Sequence, residues 1–301
     1  MSDAVIGSLG AVYDRGYRPY DGPRGGRRAA RNALYRATIR RALGFRRPWR
    51  QKFAPFTLLA IATVPAIVNV GVGYLTRNTP ARDFEFITYR DYLGVSTALL
   101  LFVAITAPDV LCPDRRNRVL PLIFARPLTG ADYVIAKLGA LTTVLFAFGF
   151  LPQMVLFIGQ MFVSDSSLDY LRDNAAVLWQ IPIAVALLSI YQASLGLALA
   201  SLTTRRVIGG ASLLGLLLIS TTISSILVGD GGEPNSGSLA GLLDLVVIPL
   251  YLRDLIFLGH MDDRLGLGGV DGAGPLAILV YLLVVGVSLG VLFRRYQWVE
   301  T

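Results

Sequence analysis

The side chains best placed to do chemistry fall in two stretches. The first, residues 112–137, opens on Cys112, Pro113, Asp114, Arg115 and Arg116 and closes on Asp132, Tyr133 and Lys137. Between them Leu120, Leu122, Ile123 and Phe124 make a short apolar run, followed by Arg126 and Pro127. Charges rimming a compact apolar run suit protein docking, where they set register and steer encounter. The same arginines suit an ordinary loop flanking a membrane span equally well. The second stretch places the hydroxyls of Ser220, Thr221, Thr222, Ser224 and Ser225 in an apolar background. Small polar residues there serve close helix packing, a subunit face or a translocation path.

Other chemistries lack the residues they require. The chain has one cysteine, Cys112, and one histidine, His260, so it holds neither an internal disulfide nor a Cys/His metal site. A P-loop needs lysine and a hydroxyl directly after a glycine-rich turn to hold phosphate and Mg²⁺. The only lysines are Lys52 and Lys137, and neither follows such a turn. Residues 268–275 are glycine-rich but lack the lysine and read as a connector. The chain is therefore expected to bind no cofactor and to hydrolyse no ATP.

The elements that must position these residues are membrane helices. Of 301 residues, 54% are apolar and 16% charged, against about 25% charged in a usual soluble domain. The apolar residues come in long blocks, and in a bilayer such blocks must be helices that satisfy their own backbone hydrogen bonds. Six spans are expected, at 54–75, 93–111, 138–161, 175–200, 207–228 and 275–293. Apart from Asp109, near one end of the second span, those limits contain no Asp, Glu, Lys, Arg or His. Ion-coupled carriers keep such groups inside the membrane as relays, so a secondary carrier is disfavoured.

Charge placement sets the orientation. Segments 1–53, 112–137, 201–206 and the tail after 293 carry 22 of the 28 Lys and Arg residues, while 13 of the 20 acidic residues lie in the alternate segments. Basic flanks stay on the cytoplasmic side, which puts both ends of the chain in the cytoplasm. The net charge of +8 is thus a membrane-flank signature and does not imply nucleic acid. About forty Arg-rich residues precede the first span, unlike a cleavable signal.

Two segments refine this plan. Residues 239–259 are apolar but include Asp244, Pro249, Arg253 and Asp254. Ionisable groups at mid-bilayer are costly, so a re-entrant or interfacial hairpin on the exterior face is expected there rather than a seventh span. Within the basic stretch 24–52, Leu34, Tyr35, Thr38, Ile39, Ala42, Leu43 and Phe45 share one helical arc, and Arg36, Arg40 and Arg41 lie on the other. An amphipathic helix on the inner membrane surface follows, with arginines toward anionic headgroups and Pro48 ending it. The plan is a cytoplasmic tail, 1–52, and a transmembrane domain, 53–301.

Residues 114–137 resemble the permease subunits of the type-2 export family of ATP-binding-cassette (ABC) transporters. The corresponding segment of that family runs acidic-Arg-Arg-Ser-Gly-Thr-Leu-Glu-Leu-Leu-Leu-Ser-Arg-Pro-Leu-Ser, then aromatic-Val-x-x-Lys. Asp114, Arg115, Arg116, Leu120, Leu122, Arg126, Pro127, Leu128, Tyr133, Val134 and Lys137 fall on it without a gap. Arg118, Val119 and Pro121 depart from it, standing for its Gly, Thr and Glu. Residues 13–24 resemble the start of actinobacterial members.

The resemblance implies that Leu120–Phe124 form a coupling helix seated in a groove of a separate ATPase subunit, with Arg115, Arg116 and Arg126 at its rim and Pro127 at its end. It implies two ATPase copies binding ATP and Mg²⁺, and a second permease chain, identical or a sister. Membrane lipids surround a bacterial inner or plasma membrane protein. The cargo expected for an apolar path is lipophilic or amphipathic: a drug, an antibiotic or a lipid. The alternatives are a membrane anchor or assembly factor that transports nothing and, more remotely, a secondary carrier.

Overall fold

The computed structural model describes residues 25–45, 49–79, 87–94, 97–229, 238–261, 267, 270 and 272–297. The N-terminal motif at 13–24 and Pro48 lie outside them. Among the described residues the structure is helical, with no strand. The helices are α1 (Gly26–Ala42), α2 (Trp49–Thr76), α3 (Tyr89–Gly94), α4 (Thr97–Arg116), α5 (Leu120–Phe124) and α6 (Gly130–Val163). Then come α7 (Ser167–Asp173), α8 (Val177–Leu202), α9 (Arg206–Gly229), a 3-10 turn (Leu239–Leu243), α10 (Ile248–Phe257) and α11 (Ala273–Gln297).

Five of these are long and apolar enough to cross a membrane: Phe56–Thr76 within α2, and α6, α8, α9 to Val228, and α11. They match five of the six expected spans. The remaining one, α4, has 20 residues but carries Asp109, Asp114, Arg115 and Arg116 in its C-terminal half, so it is not among the five. At 1.5 Å per residue the 34-residue α6 is about 51 Å long, well beyond a hydrocarbon core of about 30 Å. Its first turns, Gly130–Lys137, extend past the span expected from 138. By the same measure α10, with 10 residues, reaches about 15 Å and is too short to cross.

The central helix is α8, which packs on α4, α6, α9, α10 and α11. Its buried row, including Ile181, Val185, Leu188, Leu195 and Leu197, gives the bundle its core. Glycine permits a close approach to backbone: a Cβ at Gly210 of α9 would lie 2.6 Å from the Ala104 carbonyl oxygen of α4. The outer helices show apolar rows outward: Ile61, Val64, Ile67 and Val68 on α2, Leu218, Ile219, Ile226 and Leu227 on α9, and Leu279, Leu282, Leu283 and Val287 on α11. Apolar area on that scale needs lipid or another subunit against it.

The charges segregate by end. At the inner end, so named for the orientation expected from charge, the C-terminal ends of α4, α8 and α11 gather with the N-terminal end of α9 and the start of α6: Arg115 donates to the Ser201 carbonyl, Arg206 pairs with Asp109 at 2.7 Å, and the rings of Tyr133 and Tyr296 lie 4.9 Å apart. At the opposite end α3, α7 and α10 meet. Tyr89 and Tyr170 share a hydroxyl hydrogen bond of 2.5 Å, and Arg253 Nη1 donates to the Arg90 carbonyl at 3.1 Å. Arg253 and Asp254, a liability for any spanning helix, are buried here as an ion pair of 2.6 Å.

Candidate functional site

The stretch at 112–137 begins with the end of α4. After Arg116 the chain reverses through Asn117 and Arg118, and Arg118 takes a left-handed backbone with φ of 51°. That is where the resembled pattern has glycine, the residue that adopts this conformation without steric cost. The turn sets α5 across the inner end of the bundle. Leu120 is buried in the core, Ile123 and Phe124 are half-buried, and Leu122 points away at 72% exposure. Phe124 packs edge-on against Tyr133, at 6.0 Å between centroids. Pro127 follows the helix end at Ala125, and Leu128 returns to the core.

Thr129 then starts α6 with a capping box. Its hydroxyl accepts from the Asp132 amide at 3.2 Å, and the Asp132 carboxylate accepts from the Thr129 amide at 3.2 Å. Two orphan amides of the helix start are thereby satisfied. The same carboxylate accepts from Arg27 Nε at 2.5 Å, and Arg31 stands 3.8 Å away.

Asp114 is the hub of a second ionic cluster, buried at 2% exposure. Its carboxylate accepts from Arg41 Nη1 at 2.5 Å, Lys137 Nζ at 2.7 Å and the Tyr133 hydroxyl at 3.0 Å. Lys137 also donates to the Val110 carbonyl at 3.0 Å. Burial pushes the Asp114 carboxyl up, but the Lys137 ammonium and the Arg41 guanidinium outweigh it and hold the group below its ordinary value.

The amphipathic arc of α1 faces inward as its periodicity demands, with Thr38 and Ala42 buried, Leu34, Tyr35 and Ile39 half-buried, and Arg36 and Arg40 exposed. The arc rests on α6 and α4. Tyr35 shares a hydrogen bond with Thr143 at 2.8 Å and packs over Gly139. Phe45, expected on the same arc, is exposed.

Between α1 and α5 lies an open groove of about 690 Å³. Ala30, Ala33, Leu34 and Ala37 form one wall, and Val119, Leu122, Ile123 and Leu128 the other. Arg40, Arg41 and Arg126 edge it, and among the described residues none that lines it is acidic. Among the residues expected to dock a partner, Leu122, Arg116, Arg126 and Pro127 are therefore exposed at or beside this groove. Asp114, Leu120 and Arg115 are turned inward and hold the helix ends together.

The hydroxyl cluster of α9 divides differently. Thr221 donates to Asp244 at 2.9 Å, Ser224 donates to the Ala240 carbonyl at 3.1 Å, and Ser220 accepts from the Leu245 amide at 3.3 Å. These three clasp the segment around the 3-10 turn. Thr222 and Ser225 donate to carbonyls of their own helix, Leu218 and Thr222.

Reasoning from the sequence missed Arg27 and Arg41 as partners of this region, since they lie 105 and 73 residues from Asp132 and Asp114. The Thr129-x-x-Asp132 box was a visible local signal for the start of α6. Neither the protein-family models nor the curated proteins contain a match to this chain.

Proposed function

We propose that this chain is the membrane subunit of an ABC exporter, driven by a separate ATPase that docks on α5 and the groove beside it. In this reading α4 is the sixth span, both ends are cytoplasmic, and 239–259 is an exterior re-entrant segment. Two such chains form a path for a lipophilic or amphipathic cargo in a bacterial inner membrane. ATP and Mg²⁺ belong to the partner.

The observation that carries the proposal is the exposed apolar tip of α5. A leucine at 72% exposure, beside a groove edged by Arg40, Arg41 and Arg126, has the form of a docking knob. Its flanking arginines, Arg116 and Arg126, would steer an acidic partner surface. Collection of basic side chains at the same end agrees with a cytoplasmic face.

The test is whether the tagged chain, expressed in its own host, co-purifies with a P-loop ATPase, with ATP hydrolysis as readout. Leu122→Asp combined with Arg126→Glu is expected to abolish both capture and stimulation. Failure of the unaltered chain to bind that ATPase, or indifference to the double substitution, would overturn the proposal.

A further inference from the structure

The connection that carries α5 is bracketed by two carboxylates. Asp114 stands at its start, on the last turn of α4, and Asp132 at its end, on the first turn of α6. Both are buried at 2% exposure, and α1 binds both. Arg27 and Arg31, near the start of α1, hold Asp132, and Arg41, on its last turn, holds Asp114. Residues 27 and 41 are about 21 Å apart along a helix rising 1.5 Å per residue. One continuous helix therefore spans the two roots of the connection.

From this arrangement we infer that α1 is a brace whose arginines position α5 for its partner. The inference rests on the docking proposal for its function, while the brace itself is a statement about this chain alone. Three features separate it from a basic helix that merely lies on lipid. Its apolar arc packs on α6 and α4, with Thr38 and Ala42 buried, its arginines divide into clamping and outward-facing sets, and the clamped carboxylates are buried. Arg36 belongs to the outward set and contacts neither carboxylate. Because Lys137 and Tyr133 still hold Asp114 if Arg41 is removed, loosening the brace leaves the core charge paired. The consequence falls on the freedom of 117–128.

The experiment uses the full chain in detergent and follows amide hydrogen exchange. Arg27→Ala/Arg31→Ala/Arg41→Ala is expected to speed exchange in 117–128 by about tenfold, while α8 keeps its protection. Affinity for the co-purifying ATPase is expected to fall by a similar factor. Arg36→Ala removes one positive charge from the same helix and should change neither. Replacing the three clamping arginines by lysine should restore most of the protection. If the triple alanine variant does not fold, Arg27→Ala/Arg31→Ala alone tests the more exposed clamp.

Unchanged exchange in 117–128, or an equal effect from Arg36→Ala, overturns the brace. If exchange responds as expected but the unaltered chain captures no ATPase, the docking proposal fails. The positioning role then falls with it.

Discussion

Replacing Asp114 with alanine tests the energetics of the inner end most directly. The carboxylate satisfies three donors, Lys137, Arg41 and Tyr133, at 2.7, 2.5 and 3.0 Å. Arg41 is 38% exposed at its side chain and can return to water, but Lys137 at 3% cannot. Removing Asp114 leaves a buried ammonium with one protein acceptor, the Val110 carbonyl. Breaking a buried pair in this way costs about 3–5 kcal/mol, because the remaining charge keeps its desolvation penalty. Removing both partners as Asp114→Ala/Lys137→Met replaces the pair by apolar volume, which is often close to neutral. A double-mutant cycle should thus show a coupling of at least about 3 kcal/mol, with the double variant more stable than Asp114→Ala alone. Loss of helical signal on titration with denaturing detergent provides the measurement, provided refolding is reversible. Strict additivity of the two substitutions, or a cost below about 1 kcal/mol for Asp114→Ala, would refute the argument that these charges depend on each other.

Other substitutions probe separate parts of the structure. Arg118→Gly should raise stability by up to about 1 kcal/mol, since relief of a left-handed non-glycine backbone exceeds glycine's added chain entropy; thermal unfolding measures it. Gly210→Leu should separate α4 from α9, because even a Cβ there meets the Ala104 carbonyl, and it should lower stability by at least about 1–3 kcal/mol in the same assay. Thr221→Val removes the hydroxyl that donates to Asp244, so faster exchange of the Val246 amide, which Asp244 also holds at 2.9 Å, is expected. Leu122→Asp should change stability by no more than about 0.5 kcal/mol, as surface substitutions do, while still preventing ATPase capture.

The sequence by itself determined the parts that local chemistry controls. Long apolar blocks made helices unavoidable, and five of them appear as helices fit to cross a membrane. The arc on α1 was legible because a 3.6-residue period needs only neighbours along the chain. The short helix at Leu120–Phe124 was legible through its likeness to an export-permease segment. What those neighbours could not determine is which face meets which partner. Asp114 and Arg41 are 73 residues apart, so their pairing exists only once α1 lies across α4 and α6. For the same reason Asp114 and Arg115, exposed by any reading of the segment alone, turn inward. Three hydroxyls of α9 are likewise committed to the 239–247 segment only because packing brings that segment alongside. A charge or hydroxyl states what it can bind; burial and distance, properties of the folded bundle, decide what it does bind.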